Sequence, residues 1–236
     1  MFQLQFAPAL AETPALLRGF WLTIELTVAA ILLGGALGLA AAMARNMGPR
    51  FVRWLVSAYV ELIRNTPFLV QLYIVFFGLP SVGVRVSAIQ ASIIAMTINL
   101  GAYAAEIFRA GIESIHRSQI EAGASLALTR PQILVHVILA PAVSKVWPSL
   151  VSQFILIMLT SSVCSFVSVE ELSGAAATIQ SATFRSFEVY IIVGAVYLGF
   201  AILLKSALAS VGERLFRRPG TAPRKAKLAA EPGGLR

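Results

Sequence analysis

The chain has 236 residues, of which 58% are hydrophobic and only 13% charged, with a mean hydropathy of +0.80 and a formal net charge of +8. These figures lie far outside the range of a soluble globular domain, and several uncharged runs match the roughly 20 residues that cross about 30 Å of hydrocarbon. The chain therefore reads as an all-α membrane protein. Its single cysteine, Cys164, excludes an internal disulfide and most metal sites, and no aromatic-interleaved basic motif supports a nucleic-acid partner.

Five spans are predicted in chain order, at about Leu26 to Ala44, Thr66 or earlier to Gly78, Ala88 to Phe108, Trp147 to Val169, and Val189 to Leu204. The stretch before the first lacks a basic region followed by an apolar core and a small-residue cleavage site, so no cleaved signal peptide is expected. In span one, Gly34 and Gly38 form a G-x-x-x-G pattern, which lets a neighbouring helix pack at close range. Span two is the least clean. Glu61 and Arg64 precede Thr66-Pro67, and if they belong to the span, its helix starts near Trp54 and hides both charges against protein.

In span three, Asn99, Tyr103 and Glu106 recur at i, i+4 and i+7, a polar helical face that cannot look at lipid. Asn99 and Tyr103 lie deep enough to hydrogen-bond an ammonium or carboxylate group. Glu106, near the cytoplasmic end, either pairs with Arg109 or lines the inner part of a path. Span four supplies Ser152, Gln153, Thr160, Ser161, Ser162 and Ser165. Such hydroxyls commonly bond their own helix carbonyls. Gln153 and Thr160, seven apart on one face, are the better path candidates, with Ser161 beside Thr160.

Lysine and arginine concentrate in cytoplasmic connections. The segments after span one, after span three and after span five hold fourteen of the 19 basic residues, which places the N-terminus outside and the C-terminus in the cytoplasm. The positive charge is thus mostly topological and faces anionic lipid headgroups. Residues 1–218 form the membrane domain, and the basic stretch 219–236, without apolar periodicity, is expected to be a disordered cytoplasmic tail. No G-x-x-x-x-G-K-[ST] loop occurs, so the chain has no ATPase site of that type. His116 and His136 read as surface or interface residues.

The connection from about 109 to 146 is far longer than a link requires. Ser118-Gln119-Ile120-Glu121 and Thr129-Arg130-Pro131-Gln132 each fit a capping box, which predicts two short helices with a sharp turn between them. On the first, Gly123 and Ala127 fall four apart and would share one small-residue face, open to close approach by another chain.

In this loop, Glu121-Ala122-Gly123, Ala127, Val137, Leu139 and Pro141 resemble the EAA loop of permease subunits of bacterial ATP-binding-cassette importers. Gly123 stands for the second alanine, Ala127 for the usual glycine, and the proline falls one residue late. Segments around Gly19–Thr27, Tyr59–Leu72, Asn99–Arg109 and Phe184–Tyr190 narrow the resemblance to the branch importing polar amino acids. Met158-Leu159-Thr160-Ser161-Ser162 is similar to the family's L-K-D-T-S segment, with leucine at the lysine position and threonine at the aspartate.

The resemblance implies a multi-pass protein of the bacterial inner membrane that performs no covalent chemistry, with no catalytic residue and no cofactor of its own. It implies a second permease chain, identical or homologous, two ATPase subunits that bind ATP and Mg, and a periplasmic or lipid-anchored solute-binding protein. The loop around Glu121, Ala122, Gly123, Ala127, Leu139 and Pro141 would carry a coupling helix into an ATPase cleft, and the spans would provide alternating access. Leu159 leaves two readings open: selectivity differs, or the second permease holds the substrate. An ion-coupled secondary transporter would more often show an internal inverted repeat, which this sequence lacks, and a scaffold would not need the polar face of span three.

Overall fold

A computed structural model of the protein describes residues 4–216, and among them every regular element is helical. The expected tail at 219–236 lies outside the described residues. A short helix α1 (Ala7–Ala11) precedes α2 (Thr13–Met47), which is followed by α3 (Arg50–Arg64), α4 (Phe68–Ser81) and α5 (Ala88–Glu113). Next come α6 (Arg117–Ser125) and α7 (Arg130–Gln132). α7 continues through a π-helical stretch (Ile133–Ile138) into α8 (Leu139–Thr160) and a 3₁₀ stretch (Ser161–Val167). The last two helices are α9 (Leu172–Thr183) and α10 (Ser186–Phe216).

Four helical segments, Thr13–Met47, Ala88–Glu113, Arg130–Val167 and Ser186–Phe216, are long and apolar enough to cross a membrane. Taken together, α3 and α4 are also long and apolar enough, but they are bent by 109° at a short break, the geometry of a broken span or of a re-entrant loop. Span two is therefore two half-helices. Pro67 has no N–H to continue α3, and it restricts Thr66 before it, so the backbone leaves the helix there.

Span one starts at Thr13 rather than near Leu26, because helix propensity continues where hydropathy has already fallen. Span four likewise begins at Arg130, not Trp147. The second loop helix predicted from Thr129–Gln132 is the first turn of this long helix, and only α6 stands as a separate short helix. Its N-cap is His116, whose Nδ1 accepts the Ser118 N–H at 3.2 Å, so the capping box expected at Ser118 does not form. At Thr129 the cap does form, with Gln132 Oε1 accepting from the Thr129 backbone at 2.8 Å. The π-helical stretch has a local cause. Pro141 cannot donate to Val137, and its ring clashes with that carbonyl, so a wider turn precedes it.

α5 is the central helix. Its buried face is built of small residues, including Ala91, Ala95, Gly101, Ala102, Ala104 and Ala105, and α2 lies directly on it. A Cβ placed on Gly34 would stand 2.8 Å from Leu100 Cβ; one on Gly38 would stand 2.5 Å from Ala104 Cβ and 2.9 Å from the Ala105 amide nitrogen. Lipid gives helices no hydrophobic reason to associate, so this contact rests on dispersion at backbone range. Leu26, Leu72, Met96, Leu100, Leu150 and Ile157 fill the surrounding core.

A second apolar cluster joins α1, the start of α2, α9 and α10. α9 was not anticipated, since a helix of 12 residues rich in alanine, serine and threonine falls below any span criterion. It is locked by Glu171, which is fully buried. The Glu171 carboxylate accepts from the Ser173 and Gly174 amides at 2.8 and 3.0 Å and from the Tyr197 hydroxyl at 2.6 Å, and the Thr23 hydroxyl lies 3.2 Å away. Burial pushes the Glu171 carboxyl above the usual range, while Tyr197, the Gly174 amide, Thr23 and the Ser173 amide pull it back.

Candidate functional site

The break between α3 and α4 lies against the middle of α5. Its cross-link to α5 is Asn99, which lies about 16 Å of helix rise from Ala88 and about 21 Å from Glu113. The Asn99 side-chain amide donates to Gln71 Oε1 at 2.9 Å. Gln71 Nε2 in turn reaches Ile63 O at 2.7 Å, Thr66 O at 3.0 Å and Thr66 Oγ1 at 2.9 Å. These bonds satisfy carbonyls that the break leaves without helical partners. Asn99 is thus occupied in holding the two half-helices to α5, and the Tyr59 hydroxyl adds a bond to Ile98 O at 2.6 Å.

Tyr103, one turn below Asn99, is half-buried, and the Arg64 guanidinium stands over its ring with 5.5 Å from Cζ to the centroid. Glu61, Arg64, Asn65 and Pro67 are exposed. Non-helical backbone at membrane depth persists only where it is buried in protein or faces a water-filled cavity. In this chain the break is open on its outer side.

Glu106 is held by Arg109 Nε at 2.9 Å and Arg45 Nη1 at 3.3 Å, with a further bond from Arg109 Nη2. Arg109 also bonds Glu113 at 2.6 Å. This network joins the ends of α2 and α5 and borders a cavity of about 190 Å³ lined by Arg45, Asn46, Arg53, Arg109 and Glu113. Cations from the connections after spans one and three therefore meet at one end of the molecule.

In span four, the Thr160 hydroxyl donates to Leu156 O at 2.8 Å, and the fully buried Ser161 hydroxyl donates to Met158 O at 2.7 Å. Both serve their own helix. Gln153 is half-buried, and Leu159 is exposed.

Within the loop, Gly123 points inward. A Cβ there would lie 3.1 Å from Ile133 Cγ1, which presses α6 against the π-helical stretch. Ala127 does not share a helical face with Gly123. It lies beyond the end of α6 at φ 58°, where Leu128 N–H bonds Gly123 O at 3.2 Å and Ala127 N–H bonds Ala124 O at 2.9 Å. That pair of bonds is a Schellman cap, whose left-handed residue is usually glycine. Glu121 pairs with Arg117 at 3.0 Å on the exposed side, Ala122 is exposed, and Leu139 and Pro141 are half-buried at the start of α8. Ile120, Leu126 and Val135 leave an apolar surface around the loop, with Leu126 76% exposed.

Sequence reasoning did not single out Gln71 or Glu171. The available signal for Gln71 was its place one turn after a proline break, where a long amide can reach back to orphan carbonyls.

The profile of the family described as binding-protein-dependent transport system inner membrane component matches residues 34–217. The chain belongs to this family. Among the transport components it resembles, the probable glutamine ABC transporter permease protein GlnM of Bacillus subtilis (strain 168) is 37% identical over 197 residues, covering 84% of this chain and 91% of the relative. The glutamine transport system permease protein GlnP of Escherichia coli (strain K12) is 31% identical over 204 residues, covering 86% of this chain and 93% of the relative. Among solved structures, an amino acid ABC transporter with histidines superposes with a TM-score of 0.82 at 33% identity, covering 90% of this chain and all of that one. The MetNI methionine ABC transporter shares the fold, with a TM-score of 0.73 at 21% identity, covering 87% of this chain and 98% of that one. This inner membrane component is accordingly a multi-helix permease.

Proposed function

We propose that this inner membrane component forms one half of the translocation path of an ATP-driven importer of polar amino acids. The relatives named for glutamine, cystine and arginine transport support the substrate class. The observation that carries the path is the open break between α3 and α4 at the depth of Asn99, which requires a facing chain or an aqueous lumen. A second permease, identical or homologous, supplies the other half. The orientation taken from the cation distribution puts the loop and the C-terminus in the cytoplasm and the Glu171 cap outside.

Two separate ATPase subunits bind and hydrolyse ATP with Mg, and a periplasmic or lipid-anchored binding protein delivers the solute. The loop around Glu121 couples them to the path. Because α6 is clamped on Ile133 and Val137, and these belong to the helix that runs on to Val167, a displacement of α6 moves span four with it. Closure of the ATPase pair is thereby converted into alternating access. Among the described residues no group of three or more histidine, cysteine or acidic side chains could hold a metal.

Purification of this chain from native membranes in mild detergent, with mass spectrometry of what accompanies it, tests the assembly. An ATPase subunit in equal number is expected, and isolation of this chain alone after crosslinking through the loop would reject the importer reading. For coupling, Leu126→Asp is expected to depress ATP-driven uptake at least ~10-fold, since burying a carboxylate in an apolar cleft is strongly unfavourable, with insertion unchanged. Normal uptake by that variant would remove Leu126 and its surroundings from the ATPase contact.

A further inference from the structure

We infer that Arg64 receives the α-carboxylate of the transported amino acid as it passes the break in span two; this rests on the importer reading above. α3 carries the guanidinium to the level of Tyr103, near the middle of α5. On the importer reading α3 belongs to a membrane-crossing segment, where a charge is expensive and needs a partner, a cavity or a substrate. Arg64 forms no ion pair with any described carboxylate. Glu106 is bonded by Arg45 and Arg109 and lies close enough for Arg64 to act on its charge without an ion pair, and Glu61, one turn earlier on α3, is exposed and makes no ion pair with Arg64.

What Arg64 does have is the ring of Tyr103. An aromatic face stabilises the cation yet accepts little hydrogen bonding, so the planar fork of N–H donors stays available to a carboxylate. The start of α4 lies four residues on and has no side-chain cap. Its first amides add partial positive charge of the same sign beside Arg64. Arg64 is the described cation that the open break presents at this depth.

The test uses the complete complex, with its ATPase and binding protein, in proteoliposomes supplied with radiolabelled L-glutamine, L-cystine or L-arginine. For whichever of these the wild type transports, binding to the permease–ATPase complex without binding protein is compared between the free acid and its C-terminal amide. The wild type is expected to prefer the acid by at least ~10-fold, as a charge-assisted hydrogen bond allows, and Arg64→Gln is expected to lose both that preference and most uptake. Arg64→Lys should restore part of each.

An Arg64→Gln complex that binds, discriminates and transports as the wild type overturns the inference while leaving the importer reading standing. Dissociation of the permease pair in that variant, with each chain folded, also overturns it, in favour of an ion pair between subunits. Absence of uptake by the wild type of these three and of every other polar amino acid offered rejects the importer reading itself, and the inference falls with it. Should Arg64→Gln fail to assemble, Asn65→Cys provides a second readout, since the native Cys164 is buried. The transported amino acid should slow modification of residue 65 by an anionic thiosulfonate several-fold, whereas its amide should not, and equal rates with both overturn the inference.

Discussion

Ala127 shows how one atom can set the character of a loop. Its left-handed conformation closes α6 with two backbone bonds, but its Cβ makes that conformation unfavourable by about 1–2 kcal/mol. Ala127→Gly is therefore expected to stabilise the end of α6 by about 1 kcal/mol, seen as slower hydrogen exchange of the Leu128 amide. The glycines of α2 make the opposite case. A Cβ on Gly38 would meet the backbone of α5 within 3 Å, whereas one on Gly35 would meet nothing within 4 Å. Gly38→Ala should lower the thermal midpoint of the detergent-solubilised protein, and Gly35→Ala should leave it level or raise it, by up to about 1 kcal/mol in stability. Equal effects from the two would mean that α2 does not seat on α5 through this face.

At the scale of elements, Gln71 links α3, α4 and α5 through one side chain. Gln71→Leu removes the acceptor of the buried Asn99 amide, at a cost of about 1–3 kcal/mol, and the donor to the half-buried carbonyls of the break. The half-helices should then separate from α5, which protease access near residue 66 would report. The Glu171 cap makes α9 sensitive to pH. A carboxyl raised in the folded state contributes stability that is present below its unfolded range and is lost as pH rises through its folded value. The thermal midpoint of the wild type should therefore fall from acid towards neutral pH more steeply than that of Glu171→Gln. A parallel slope in the two proteins would separate α9 from this titration.

The whole molecule places polar groups where one chain cannot finish the job. α10 and the break in span two are largely open, with Leu198, Leu203 and Leu215 more than 60% exposed on α10. Lipid can cover the leucines, but it cannot cover the broken backbone near Pro67. The ends of α2 and α5 meet in the Arg45–Glu106–Arg109 network, in agreement with one face for the basic connections after spans one and three. A reporter enzyme fused after Arg236 should be active only in its cytoplasmic form, and a periplasmic signal would invert the proposed orientation.

Composition and hydropathy alone determined the membrane class and the apolar cores of the long helices, but not where those helices begin, since the helix of span four takes in the second half of the expected loop. Those properties depend on transfer from water to hydrocarbon, a sum over local residues. The loop motif also pointed to the family, because its small and apolar positions recur at fixed spacing. Only the tertiary structure decided how individual side chains are employed. Asn99 and Glu106 looked equally polar on one face of span three, yet Asn99 braces a break through Gln71 and Glu106 closes an ion-pair network with α2. Gly123 and Ala127 looked like neighbours on a helix, yet the helix ends between them. Each outcome rests on a partner distant in sequence or on a turn in the backbone, and neither is encoded in the periodicity of a single segment.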